Sequence, residues 1–337
     1  MRRPLVLLLV LLLVLGGASF ALWSWTVARM EVGFAAWAAR QAAEGWTVHA
    51  AATHGAGWPL AAELVLSDLS LAAAPGLLPG GAGWTAERAV LHISPLLPGV
   101  MEVRLDGTQR LHGFGGPGVP FVADRFTLTL PLRGAAAAQI AGRQLRFGAP
   151  ADGMTIGLLD GTIQPESPPR VELSAEAIAL PPPPVPQPAL GARIASATIT
   201  ATLEGALPPP SPDLAARLAA WQRAGGMLRV QHVAVGWGPL GITGTAAIGL
   251  DADLQPQGTG TARVVGYDAT LSALAAGGAV RPQAAQAIRA VLTLLARTPE
   301  GGGAPEVELP LSVQDGVLRV GRIPVGRLPH WDWSAAR

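Results

Sequence analysis

Cysteine is absent from the 337-residue chain. The protein therefore has no disulfide, no thiol nucleophile, no zinc–thiolate site and no cysteine to carry a lipoprotein anchor. A folded domain of this size must be held together by the burial of apolar side chains.

Lysine and asparagine are also absent, all 24 basic residues are arginine, and there is one tyrosine. Without lysine there is no phosphate-loop lysine, Schiff base or Ser-Lys dyad. Charged residues make up 14% of the chain and the net charge is +1, so there is no basic stripe for nucleic acid. Hydrophobic residues make up 50%, which is enough for a sizeable core in one large or two ordinary domains.

What the chain does contain is an N-terminal membrane-anchor pattern in residues 1–28. An arginine pair precedes an apolar run over 5–25, and no charge follows before Arg29. About 20 apolar residues in a helix span a hydrocarbon core of about 30 Å. The arginine pair and the interfacial Trp23 and Trp25 predict a single-pass inner-membrane protein with a cytoplasmic N-terminus and a periplasmic body.

The alternative for the N-terminus is a cleaved signal peptide. Ser19-Phe20-Ala21 has small residues at the two positions that signal peptidase inspects. Against cleavage, the apolar run is longer than the usual signal core of about 7–15 residues and continues past this site.

After the anchor, the apolar period changes from helical to two. Residues 29–45 carry apolar side chains at helical spacing and predict a connecting helix. Residues 46–180 alternate, as in Met101-Glu102-Val103-Arg104-Leu105-Asp106, which predicts half-buried strands. Turn residues separate the strands at Gly80-Gly81, Pro98-Gly99, Gly115-Gly116 and Asp160-Gly161.

A proline-rich linker over 181–192 divides this β region from a second one over 193–337. In the second region, Ser211-Pro212-Asp213 begins a helix, with Ser211 as the predicted N-cap. Two further helices are predicted over 268–276 and 282–297, and Asp315-Gly316 predicts a hairpin turn. The predicted fold class is mainly β with a few helices (α+β): an N-terminal transmembrane helix followed by an extended, curved antiparallel sheet.

No motif names a reaction. The GxGxxG motif occurs twice, over 113–118 and 236–241. Each match contains a proline and lacks a following helix, so we interpret both as turns and expect no nucleotide-binding site. The sequence around the six histidines contains no HExxH motif and no close carboxylate pair, and no GxSxG elbow exists. We therefore expect no metal, no cofactor and no enzymatic activity.

Several segments together resemble an uncharacterised alphaproteobacterial envelope family, domain of unknown function 2125. They are the N-terminal span, Gly57-Trp58-Pro59-Leu60, Leu64-Val65-Leu66-Ser67-Asp68, Trp84-Thr85-Ala86-Glu87, Gly249-Leu250-Asp251-Ala252-Asp253 with Pro256-Gln257-Gly258, Asp315-Gly316-Val317-Leu318-Arg319-Val320-Gly321 and Gly326-Arg327-Leu328-Pro329. The resemblance covers nearly the whole chain but implies no activity or catalytic residue. The chain is more distantly similar to AsmA-like envelope proteins, in which one N-terminal helix anchors long β-sheets with hydrophobic grooves.

An open sheet with one apolar face needs helices, lipid or a partner to cover it, and the predicted helices are few. We therefore expect the protein to bind a lipid or another apolar ligand in a groove of the sheet. We expect this binding to serve the maintenance of the cell envelope. The predicted lining is Leu64, Leu66, Met101, Val103, Leu105, Phe126, Leu128 and Leu130. The alternatives are a closed core formed by these residues, and a non-catalytic scaffold that holds another envelope protein through a sheet edge or the Trp-rich tail, His330-Trp331-Asp332-Trp333.

Overall fold

One long N-terminal helix and a single antiparallel sheet dominate the protein. The computed structural model describes residues 2–94, 97–113, 116, 118–149, 152–181, 189–298 and 302–333. These residues form four helices, which are α1 (Arg2–Ala43), α2 (Leu214–Arg223), α3 (Tyr267–Ala276) and α4 (Pro282–Leu295). They also form 17 strands, which are β1 (Trp46–His49), β2 (Ala52–Ala56), β3 (Ala62–Ala73), β4 (Ala82–Ile93), β5 (Val100–Gly113), β6 (Val119–Val122), β7 (Arg125–Pro131), β8 (Ala138–Phe147), β9 (Met154–Gln164), β10 (Arg170–Ala179), β11 (Arg193–Glu204), β12 (Met227–Trp237), β13 (Leu240–Leu250), β14 (Pro256–Val265), β15 (Glu306–Gln314), β16 (Val317–Val320) and β17 (Ile323–Arg327).

The strands follow one another in chain order across the sheet. β1 and β2 share one edge, where each pairs with a different half of β3. β6 and β7 share one position between β5 and β8. From β8 to β17 each strand pairs with its immediate neighbours in the chain. The predicted fold class, mainly β with an apolar N-terminal helix and a large antiparallel sheet, is confirmed.

The sheet continues without a break across the proline-rich segment. β10 and β11 flank that segment and pair from Arg170–Thr202 at one end to Ala179–Arg193 at the other. Most of the predicted linker, residues 182–188, lies outside the described residues.

Helix α1 is one continuous rod of 42 residues, about 63 Å long at 1.5 Å per residue. Its apolar side chains from Val6 to Leu15 are each more than half exposed. Further along, Val27 and Met30 are buried in a cluster with the start of the sheet, and the Trp23 indole Nε1 donates to the Ala56 carbonyl at 2.9 Å. Within the described residues, α1 alone is long and apolar enough to cross a membrane.

The predicted cap of α2 is wrong by two residues. Asp213 is the N-cap, and its Oδ1 accepts from the Ala216 backbone N–H at 2.7 Å. Ser211 Oγ instead accepts from the Asp213 N–H at 3.1 Å. An aspartate and a serine are equally good caps, so the pattern alone did not distinguish them. The predicted helices at α3 and α4 and the turn at Asp315-Gly316 are confirmed.

The predicted turn at Asp160-Gly161 is wrong, because both residues lie inside β9. Gly161 is a strand glycine for a packing reason, since a Cβ there would come within 2.5 Å of Leu173 Cδ2. The other predicted turn residues that the structure describes lie between strands. Gly115 lies outside the described residues.

Glycine at position 55 allows α1 to lie flat on the sheet. A Cβ on Gly55 would come within 2.7 Å of Val27 Cγ1 and 3.4 Å of the Trp23 ring. We expect Gly55→Val to destabilise the protein by about 1–3 kcal/mol through overpacking. The measurement is the free energy of unfolding in detergent.

The matched control for this substitution is Gly326→Val, also in an edge strand. Among the described residues, nothing lies within 4 Å of the position that a Cβ on Gly326 would take. Equal effects of the two substitutions would contradict the proposed α1–β2 contact.

Candidate apolar binding face

Antiparallel partners point to the same side of a sheet, so the strand registers define rows of side chains that cross the sheet. One such row is apolar or glycine on each of twelve strands, from β3 to β15. Its members are Leu64, Leu91, Val103, Leu128, Ile140, Gly161, Leu173, Ile199, Val233, Gly244, Ala262 and Leu309.

The rows on either side have the same character; each lies two residues away along the strand, except that an irregularity in β12 puts Val230 three residues from Val233. One contains Leu66, Ala89, Leu105, Phe126, Gly142, Leu159, Ala175, Ala197, Val235, Ile242, Val264 and Val307. The other contains Ala62, Ile93, Met101, Leu130, Ala138, Ile163, Val171, Ala201, Val230, Ala246, Gly260 and Leu311. We call these three rows the apolar face; no charged or hydrogen-bonding side chain occurs in them.

The eight residues predicted from the sequence all lie on the apolar face. Leu64, Leu66 and Leu105 are buried, with exposed fractions of 0%, 1% and 4%. They form one cluster with Val27 and Met30 of α1. The remaining five, Met101, Val103, Phe126, Leu128 and Leu130, are half-buried. The structure thus brings the predicted residues together, while their role in binding stays a prediction.

The middle of the apolar face is open. Ile140, Leu173, Ile199 and Val233 are half-buried, and Ile163 is 38% exposed. In the described part of the chain, the principal helix–sheet contacts are those of α1 with β1–β3, α3 with β13 and α4 with β15. α1 therefore covers the first strands of the face, while α3 and α4 contact β13 and β15. Across β8–β12 most members of the three rows are half-buried, although Val230 in the rows and Leu145 beside them are buried.

The sequence prediction ended at β7 and missed this open part. The signal was present in the alternation of β10 and β11, but without the register there was no way to know that their apolar residues share a face with Leu64. Leu145 illustrates a second difficulty. It is three residues from Gly142, yet its Cδ1 lies 2.7 Å from where a Gly142 Cβ would point, so both positions face the same side.

An aromatic group lies at one margin of the apolar face. The Phe121 ring stacks on Phe147 at 5.1 Å between centroids and meets Phe126 edge-on at 6.2 Å. Gln109, paired with Phe121 across β5 and β6, is fully buried, and its Oε1 accepts from the Trp84 indole at 3.2 Å. Its Nε2 has no acceptor among the described residues, a cost of about 1–3 kcal/mol.

The opposite face of the sheet is polar. It carries two shallow grooves of about 450 and 410 Å³, one over β12–β14 and one over β7–β11. Threonines predominate in their polar lining, as in Thr129, Thr162 and Thr200. Among the described residues there is no group of three His, Asp or Glu side chains that could hold a metal ion.

Glu63 is the best-partnered charge on the polar face. Its Oε1 accepts from Arg104 Nη2 at 2.7 Å and lies 3.1 Å from His92 Nδ1, which ties together β3, β4 and β5. Burial acts to raise the pKa of the Glu63 carboxyl, but the hydrogen bonds and positive charge of His92 and Arg104 outweigh it and lower the pKa from its ordinary 4.5. The cluster therefore stabilises the association of three adjacent strands.

Comparison with known proteins assigns the chain to a family of unknown activity. The family model described as "Uncharacterized protein conserved in bacteria (DUF2125)" matches residues 23–329, so the chain belongs to this family. No curated protein and no solved structure matches it.

The lowered pKa of Glu63 predicts a pH dependence of stability. A carboxyl whose folded pKa lies below its unfolded pKa contributes stability above the unfolded value of 4.5, and that contribution is lost as the pH falls through the folded value. We expect Glu63→Gln to cost about 1–2 kcal/mol at pH 7 and progressively less below pH 4.5. Denaturant unfolding between neutral and acidic pH measures this difference.

The matched control is Glu102→Gln. Glu102 of β5 lies on the same face as Glu63 and pairs in register with His92 of β4. A cost of Glu63→Gln that stays constant from neutral to acidic pH would contradict the role assigned to its charge.

Proposed function

We propose that this member of the DUF2125 family is a single-pass inner-membrane protein whose periplasmic body binds phospholipid acyl chains on the apolar face. The observation that supports this most strongly is that the face is uncharged over twelve strands and mostly half-buried, not closed over, at its centre. The protein acts in envelope maintenance as a non-catalytic lipid-binding body without a cofactor.

The dimensions of the face suit an extended hydrocarbon ligand. Strands are about 4.8 Å apart, so twelve strands extend about 50 Å. Monomeric soluble proteins rarely expose contiguous apolar patches larger than a few hundred Å². Each methylene that an acyl chain buries against such a surface contributes about 0.8 kcal/mol. The absence of polar side chains in the three rows favours a hydrocarbon ligand over a polar metabolite.

The apolar face begins beside the proposed membrane helix, which gives lipid a short route onto it. The C-terminal half of α1 covers Leu64 and Leu66 at the first strand of the face. Next to it, the turn between β2 and β3 exposes 48% of Trp58 and 84% of Leu60, and the Trp58 ring meets Phe20 of α1 at 6.1 Å. Exposed aromatic and aliphatic side chains of this kind are typical of the membrane interface.

The membrane assignment predicts that α1 is retained as an anchor. In a Gram-negative host, we expect the mature chain to keep Arg2, to resist alkaline extraction from membranes, and to be digested by protease added to spheroplasts. Intact-mass measurement distinguishes this from signal-peptide cleavage after Ala21, which would leave a chain that begins at Leu22 and would contradict the anchor.

Lipid binding predicts photo-crosslinking along the open part of the apolar face. The full chain in nanodiscs that contain phosphatidylglycerol with an acyl-chain diazirine should become labelled on β8–β12 as well as on α1. Leu128→Asp and Leu173→Asp should reduce the labelling on the strands severalfold, because a buried carboxylate without a partner opposes an apolar ligand. Peptide mass spectrometry locates and quantifies the labels.

The neighbouring substitutions Thr129→Asp and Ser174→Asp place the same charge on the polar face and should leave the labelling unchanged. All four variants are compared only where far-UV circular dichroism matches the parent. Labels confined to α1 and the Trp58 turn in a folded chain would contradict lipid binding by the sheet.

A scaffold function is the second candidate, favoured by the edge of the sheet at β17, which has no second strand partner among the described residues. β17 pairs on one side with β16, and Ile323 and Val325 are 68% and 54% exposed. An unpaired edge can accept a strand from another protein. The Trp-rich tail is engaged within the chain, since the Trp331 N–H donates to Gln255 Oε1 at 2.9 Å and the Trp333 indole donates to the Leu254 carbonyl at 3.3 Å. The edge, more than the tail, supports this candidate.

A further inference from the structure

Helix α4 attaches to the body along a narrow strip. Ala285 is its only buried residue in the described structure, and Arg289 and Leu292 are half-buried. Arg289 pairs with Asp268 of α3, and its Nη2 donates to Ser272 Oγ at 2.8 Å. Polar contacts therefore contribute much of the attachment, although α4 is strongly amphipathic.

The apolar stripe of α4 points away from the protein. Ile288, Val291, Leu294 and Leu295 are 41%, 55%, 86% and 53% exposed. Their three- and four-residue spacing places them on one side of the helix. A surface helix in a soluble body normally buries this stripe, so its exposure indicates an apolar environment that the described residues do not supply.

The charges around α4 identify that environment. No carboxylate occurs from 269 to 298, and exposed Arg281 and Arg297 flank the two ends of the helix. Two acidic residues adjoin this segment, since Asp268 pairs with Arg289 and the backbone of Glu306 pairs with that of Arg297. An exposed apolar stripe with arginines at its ends is the pattern of a helix that lies in the interface of an anionic bilayer.

We propose that α4 rests on the surface of the same bilayer that holds α1, as a second membrane contact at the far end of the sheet. This inference depends on the membrane location proposed for α1. Since α1 contacts β1–β3 and α4 contacts β15, two contacts with one bilayer make the sheet lie along the membrane instead of extending away from it. The apolar face would then be close to lipid over its whole width.

The absence of native cysteine makes a direct test possible. Val291→Cys and Gln286→Cys, each labelled with an environment-sensitive fluorophore, report opposite sides of α4, because five residues at 100° each place them about 140° apart. The full chain is reconstituted in phosphatidylcholine nanodiscs with and without phosphatidylglycerol and with nitroxide-labelled lipid. We expect the label at position 291 to be quenched severalfold more than the label at position 286, and more strongly with phosphatidylglycerol.

Neutralising the flanking charges with Arg281→Gln and Arg297→Gln should remove the gain that phosphatidylglycerol provides while leaving the chain in the nanodisc. A chain that co-elutes with nanodiscs but shows equal, weak quenching at both positions would overturn the α4 inference and leave the anchor intact. A chain that does not co-elute would overturn the anchor and this inference together. Protection of position 291 from aqueous quencher without quenching by lipid nitroxide would identify a second copy as the cover and overturn the bilayer contact.

Discussion

The structure depends on one geometric constraint: residues paired across antiparallel strands point to the same side of the sheet. Each pairing transfers the inward or outward orientation of a residue to the next strand, and a slip of one residue would turn every later strand over. Where one strand is irregular, the alternation of its side chains between the two faces shifts, and the neighbouring strands shift at the same position. Gln144 and Ala177, both with positive φ, lie across from Gly157 between them. A Cβ on Gly157 would come within 3.0 Å of the Ala177 Cβ, so glycine permits the two left-handed residues to share one line across the sheet.

Because each face keeps its character across the sheet, different interactions stabilise the two faces. On the polar side, charge pairs such as Glu63 with Arg104 and Glu204 with Arg229 connect adjacent strands. On the apolar side, burial is most extensive at the two ends, as at Leu64 under α1 and at Val307 beside α4, with isolated buried residues such as Leu145 and Val230 between them. Between these ends, most apolar side chains are only partly buried, and their remaining exposure to water is costly for a free monomer and inexpensive beside lipid. The distribution of burial is thus the strongest link between the fold and the proposed environment.

The alternation of residues was sufficient to predict the fold class, the strand-rich body and the faces of individual strands. Helix signals placed α3 and α4 to within two residues at each end, because apolar spacing and proline at the start are local. Two kinds of information were not local. The sequence around Gly161 indicated a turn, but the residue is a glycine because the Leu173 side chain of the next strand occupies the space of a Cβ. The open part of the face depends on the registers between strands that are far apart in sequence. The choice between Ser211 and Asp213 as a cap depended on backbone geometry that composition does not fix.

Chain-order pairing from β8 to β17 means that no strand is locked in place by a distant crossover. Removal or insertion of one hairpin, two strands and their turn, would preserve both the direction and the facing of every strand that follows. Such a change would shorten or lengthen the sheet by about 10 Å while leaving its chemistry intact. The architecture can therefore change its length in discrete steps, so the width of the sheet can evolve independently of the long apolar helix at one end and the helical pair near the other.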